Sequence, residues 1–138
     1  MLVTVDRESV AMGDDVDSHV QTIKADPTLT VGAFLGRLMH PGHPPLASVA
    51  GEVSWLVELQ LATGPDRWKD RTREPLAVVN VPHNGEPPCI IPLSTWHLQE
   101  SLGELAKRST DGSVTVHFRY CMSGHRMSYA WFAQQFGA

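Results

Sequence analysis

The chain has 138 residues, of which 42% are hydrophobic and 19% charged, and a formal net charge of −4. That length suits one domain burying about two-thirds of its unfolded surface without staples, and the composition argues against a disordered or membrane-embedded chain. Two cysteines, Cys89 and Cys121, are too few for a disulfide framework and fit reduced thiols, with a single bridge left open.

Leu2 to Val5 is predicted as a strand, and the turn-rich Gly13-Asp14-Asp15 separates it from a second extended run, His19 to Ala25. Pro27 disfavours helix in Asp26, and Thr30 can cap the free N–H groups of a helix running on to Met39. Val31, Phe34, Leu35 and Leu38 share one stripe of that helix while Arg37 lies off it, so the stripe is expected to face a sheet. Gly32 and Gly36 fall one turn apart in it, each costing about 1 kcal/mol relative to alanine. Two such losses are explained by close approach of another backbone or by tolerated packing.

His40-Pro41-Gly42-His43-Pro44-Pro45 forbids helix and sheet alike and is a connector. Val53, Trp55, Val57, Leu59 and Leu61 then alternate with Ser54, Glu58 and Gln60, the period of a half-buried strand, with Leu56 the one exception. Thr63 to Glu74, with Gly64-Pro65 and charges around Trp68, is predicted as an exposed loop. Leu76 to Val81 is apolar on both faces and suits a central strand ending at Pro82 and Asn84-Gly85, after which Pro87-Pro88 keeps the connection extended.

Ser94 is placed to cap a second helix carrying Leu98, Leu102 and Leu105, with Glu104 and Arg108 spaced for an i,i+4 pair and Asp111-Gly112 closing it. Val114, Val116, Phe118 and Tyr120 alternate with Thr115, His117 and Arg119 as a strand. Six of the ten aromatics lie from Phe118 onward. Tyr129, Phe132 and Phe136 share a helical face, which predicts a docked C-terminal helix. The expected architecture is a single α+β domain over residues 1–138: a mixed β-sheet covered by two or three helices.

The order of extended run, Asp26-Pro27, Thr30, then Val31, Phe34 and Leu38 resembles the opening ββα unit of ubiquitin-like β-grasp proteins, over about the first 40 residues. The resemblance implies a β-grasp-like start to the sheet. Conjugation chemistry is not implied, because Phe136-Gly137-Ala138 lacks the Gly-Gly end that such chemistry uses. The segment Asp6-Arg7-Glu8-Ser9-Val10, with Gly13-Asp14-Asp15, Ala50-Gly51 and Trp55, also resembles a group of small bacterial proteins without an assigned role.

Charge is distributed unevenly. Through Thr30 six acids, Asp6, Glu8, Asp14, Asp15, Asp17 and Asp26, stand against Arg7 and Lys24, while the remaining nine acids and nine bases balance. A general attraction to nucleic acid or anionic lipid is therefore not expected, and an electrostatic partner of this end should be basic. Apolar runs such as Leu76 to Val79 are too short to cross a bilayer, and Asp6, Arg7 and Glu8 interrupt any signal-like apolar core. A cytoplasmic location is expected.

The sharpest chemical constellation is His40 and His43, spaced H-x-x-H, with Cys121 and His125, spaced C-x-x-x-H, which together would fill a tetrahedral zinc shell of structural or hydrolytic use. His83 or His117 can substitute for one member. Asp14, Asp15 and Asp17 alternate as calcium ligands do but lack the terminal Glu of an EF-hand. Cys121 near His125 has the composition of a thiolate pair on a spacing that is commonly incidental. No G-x-S-x-G, H-E-x-x-H, G-x-x-x-x-G-K or G-x-G-x-x-G occurs, so the enzyme classes that depend on them are disfavoured. Arg67, Lys69, Arg71 and Arg73 surround Trp68, but Asp66, Asp70 and Glu74 cancel most of that charge. The reading that follows is a non-enzymatic protein-binding module without a cofactor, such as a bacterial immunity protein or inhibitor. It would present Asp14, Asp15 and Asp17 to a cationic surface on another protein, with Trp68 or Trp131 as anchors. The alternative is the zinc-bearing domain.

Overall fold

Hydrophobic alternation sets the layers of the molecule, whose computed structural model describes residues 1–7, 20–39, 53–66, 69–81 and 89–121. In chain order the elements are β1 (Leu2–Arg7), β2 (Gln21–Lys24), α1 (Val31–Leu38), β3 (Val53–Leu61), β4 (Glu74–Val81), β5 (Cys89–Pro92), α2 (Thr95–Leu98), α3 (Leu102–Arg108) and β6 (Val114–Cys121). The strands form one mixed sheet in the order β2-β1-β6-β3-β4-β5, so the described residues have the expected α+β character. β1 and β6 run parallel; every other pairing is antiparallel.

The inward residues of the central strands, Val3, Val5, Trp55, Val57, Leu59, Val116 and Phe118, are buried against the α1 stripe of Val31, Phe34, Leu35 and Leu38 and against Leu102 and Leu105 of α3. α1 begins where the sequence marks it, with the Thr30 hydroxyl accepting from the Ala33 N–H at 3.1 Å. The two glycines of α1 separate. A Cβ on Gly32 would lie 3.0 Å from the Leu98 carbonyl oxygen, so α2 makes the close backbone approach there, whereas a Cβ on Gly36 would meet nothing within 4 Å.

The expected single helix from Ser94 is two. Its interruption at Gln99–Ser101 arises because the Glu100 carbonyl accepts from the Val31 N–H at 2.9 Å and the Leu29 carbonyl accepts from the Leu102 N–H at 2.9 Å. Ser101 then caps α3, its hydroxyl accepting from the Glu104 N–H at 3.2 Å, as Ser94 caps α2. Arg108 reaches back to Glu100, Nη2 to Oε2 at 2.6 Å, and Glu104 pairs instead with Lys107 at 3.2 Å, so the expected Glu104–Arg108 pair does not form. Gly112, at φ 73°, turns the chain after α3, a conformation that glycine adopts without steric cost.

The connection after Pro87-Pro88 contains a further strand, β5, which pairs with β4 from Ala77↔Pro92 to Asn80↔Cys89. β4 is buried on both faces, as its composition requires: Leu76, Ala77, Val78 and Val79 are all inaccessible to solvent. A register shift between Val57 and Glu58 makes Leu76 an extra residue on β4. Its carbonyl accepts from the N–H groups of Leu93 and Ser94 at 2.9 and 3.2 Å. The shift also reverses the alternation of β4, so that Glu74, opposite Leu59, lies on the helical side.

The connection from Thr63 to Arg73 is tied to the end of the sheet. The Asp70 carbonyl accepts from the Thr63 N–H and the Leu61 carbonyl from the Thr72 N–H, both at 2.8 Å.

Candidate functional site

The sheet face turned away from the helices is mostly polar over β1, β6 and the second half of β3, and apolar where Leu56, Val78 and Ile91 lie in register. Register places Thr4, Thr115 and Gln60 in one transverse row and Asp6, His117 and Glu58 in the next, across β1, β6 and β3. His117 Nδ1 lies 3.4 Å from Asp6 Oδ2, and Arg119 Nη1 lies 3.8 Å from Glu58 Oε2. Glu58, Gln60 and Asn80 are buried, although strand period alone makes these positions the solvent side of β3 and β4. Arg71 Nη1 donates to Gln60 Oε1 at 2.9 Å, joining the 63–73 connection to this face. A groove of about 250 Å³ opens beside these rows, with Thr4, Gln60 and Thr115 along it and Asp6, Arg71 and Asp111 around it. Val78 and Ile91, with Leu56 and Leu93 against them, make a small apolar cluster separate from the main core.

Asp111 is held in place at the groove. Its Oδ1 accepts from the Ser113 hydroxyl at 2.6 Å, the Ser113 N–H at 2.9 Å and the Ser109 hydroxyl at 3.0 Å. Those bonds, the Ser113 hydroxyl's foremost, hold its carboxyl below the ordinary value of 3.8. Asp26 is lowered in the same manner by the backbone N–H and then the hydroxyl of Thr28.

β2 is an edge strand. The Met1 ammonium donates to the Ala25 carbonyl and the Ala25 N–H to the Met1 carbonyl, both at 2.9 Å, which makes Met1↔Ala25 a pair that exchanges both bonds. Such pairs alternate along an antiparallel ladder. With Leu2↔Lys24, Val3↔Ile23 and Thr4↔Thr22 in register, the N–H and C=O groups of Thr22 and Lys24 therefore point away from β1, out of the sheet. Leu2 and Val20 beside this edge are 62% and 55% exposed.

On the helical side, His97 Nε2 lies 2.5 Å from Glu74 Oε2 and its Nδ1 lies 2.7 Å from Glu100 Oε1. With Arg108 on Glu100, this chain of polar contacts ties β4 to α2 and α3. Trp96 next to it is 73% exposed. Its only sequence signal is that it lies off the stripe of Leu98, Leu102 and Leu105. The His97–Glu100 contact has the i,i+3 spacing of a local pair, whereas the contact to Glu74 carries no local signal, because Glu74 lies more than twenty residues upstream.

Asp14, Asp15, Asp17, Trp68 and Trp131 lie outside the described residues, as do His40, His43, His83 and His125 and the C-terminal segment expected to be helical. Cys121 ends β6 opposite Ser54. Among the described residues no group of three or more His, Cys, Asp or Glu side chains is arranged to hold a metal ion, and no helix among them is long and apolar enough to cross a membrane. Comparison of the chain with protein-family models, curated proteins and solved structures finds no match.

Taken by its chemistry, the groove sets the carboxylates, hydroxyls, amide and guanidinium of Asp6, Asp111, Thr4, Thr115, Gln60 and Arg71 among apolar lining from Val20, Leu61 and Ala62, a mixture that can both hydrogen-bond and contact apolar groups.

Proposed function

We propose that the chain is a non-enzymatic, cytoplasmic protein-binding module on a β-grasp-like frame, which docks a basic surface of another protein in the manner of a bacterial immunity protein or inhibitor. The β-grasp reading is supported by the ββα opening together with a last described strand, β6, that lies parallel to β1 in the middle of the sheet. The observation that carries the binding reading is the position of the β1–β2 pair. It forms the margin of the sheet, residues 8–19 join its two strands in sequence, and the chain's entire charge surplus belongs to the residues up to Thr30. Carboxylates gathered there steer a cationic partner and accelerate encounter. In this reading Asp14, Asp15 and Asp17 meet the cationic groups, and Trp68 or Trp131 supplies an apolar anchor.

Charge reversal tests the reading. Asp14→Lys, Asp15→Lys and Asp17→Lys together are expected to abolish recovery of a copurifying partner and to remove the salt dependence of its binding. Unchanged binding with unchanged salt dependence would overturn the proposal. Metal content of protein purified without a histidine tag separates it from a zinc domain built on His40, His43, Cys121 and His125. Less than about half an equivalent is expected, against the full equivalent that a structural zinc shell holds.

A further inference from the structure

Edge strands are ordinarily blunted, because a free row of N–H and C=O groups templates pairing with any extended chain. β2 is short and carries Lys24 at one end, yet its outer backbone pairs with no other strand among the described residues: Thr22 and Lys24 direct two N–H and two C=O groups outward, and the residues of β2 are exposed apart from Ile23, which is half-buried and packs against the core. Along the same margin Leu2 and Val20 expose most of their apolar surface. Toward the Val20 end, Val20 and Asp6 line the groove, as does Asp111. Hydrogen-bonding edge, apolar flank and carboxylate-bearing groove are thus contiguous.

We propose that the partner adds an extended strand to the outer edge of β2, with alternate side chains apolar or β-branched and with lysine or arginine toward the Gln21 end. The backbone of the added strand satisfies Thr22 and Lys24. Its apolar side chains cover Val20, while a basic side chain reaches the groove at Asp6. Lys24 disfavours a basic residue at the opposite end, and that repulsion sets the direction of the added strand. This inference deepens the binding reading and rests on it. The acid surplus brings a basic segment to the edge, and main-chain pairing, which requires no particular side chain, supplies the grip.

The probe is a pool of synthetic peptides of about eight residues, a usual strand length, with valine, isoleucine or threonine at alternate positions and lysine or arginine confined to one end, selected on the immobilised full chain. For the tightest peptide, hydrogen exchange at the Thr22 and Lys24 amides is expected to slow by about tenfold or more in the complex. N-methylation of alternate peptide amides is expected to raise Kd by about tenfold or more. Thr22→Pro should do the same, since it removes an outward donor and leaves the bonds to β1 in place. The N-methylated peptide tests the same point without touching the fold. Binding with unchanged exchange at both amides, or no peptide binding more tightly than about 1 mM, overturns strand addition. Two outcomes separate the claims. Slowed exchange that survives charge reversal at Asp14, Asp15 and Asp17 upholds strand addition and removes the acid role, whereas binding lost on reversal without slowed exchange upholds the acid role and overturns strand addition.

Discussion

The two faces of the sheet are built from the same strands and answer to different demands. On the covered face Trp55, Val57, Leu59, Val116 and Phe118 meet helices and exclude solvent; on the other, the alternate residues Gln60, Glu58, Thr115 and His117 are polar, and some of them are nearly as buried. Burying apolar surface is favourable wherever it occurs, but burying Glu58 or Gln60 costs free energy that partners must offset. The covered face holds the main core, while the other carries the polar rows beside the groove.

The largest expected effect tests that division directly. Trp55→Ala should cost about 3–5 kcal/mol, as large-to-small changes in a packed core do. Thr115→Ala, on the same sheet but beside the groove, should cost less than about 1 kcal/mol. Urea midpoints of the two variants measure the contrast, and equal losses would erase it.

Within the covered layer a finer contrast lies between neighbouring turns of α1. Gly32→Ala pushes a methyl against the Leu98 carbonyl and should destabilise by about 1 kcal/mol, whereas Gly36→Ala meets open space and should gain up to about 1 kcal/mol of helix propensity. Thermal midpoints moving in opposite directions would bear this out; a gain in both would show that α2 yields readily.

The smallest effect concerns the open face and pH. Because hydrogen bonds from Ser113 and Ser109 lower the Asp111 pKa, the folded state favours the ionised carboxylate. Its contribution is fully present above the ordinary value of 3.8 and is lost as pH falls through the lowered one. The difference in urea midpoint between the native chain and Asp111→Ala should therefore be constant at neutral pH and shrink in acid. A difference that grows in acid would contradict the assignment.

Where local periodicity and tertiary structure agree, the elements are legible in the sequence. α1 follows from its stripe and its Thr30 cap, and β3 and β6 from their alternation. β5 is not legible, because Cys89-Ile90-Ile91-Pro92 is too short and too close to Pro87-Pro88 to show a period. The break between α2 and α3 is hidden for the opposite reason: Leu98, Leu102 and Leu105 keep helical spacing across it, while the bonds that cause it come from Leu29 and Val31. The same holds for the site. Asp6, Glu58 and His117 are unremarkable polar residues in three separate strands until the register brings them into one row. Asp14, Asp15 and Asp17 stand out through charge alone, a signal that says what they attract and nothing of the backbone that carries them.

β6 lies between β1 and β3, yet among the described strands it is the last to be synthesised. Until residues 114–121 are synthesised, the β2–β1 hairpin and the β3–β4–β5 meander have no shared neighbour, and each exposes a hydrophobic flank awaiting Val116 and Phe118. Closing so long a chain separation slows the final assembly. Before residue 114 the two parts are therefore joined through the helices, by the Val31–Glu100 and Leu102–Leu29 backbone bonds, rather than through the sheet.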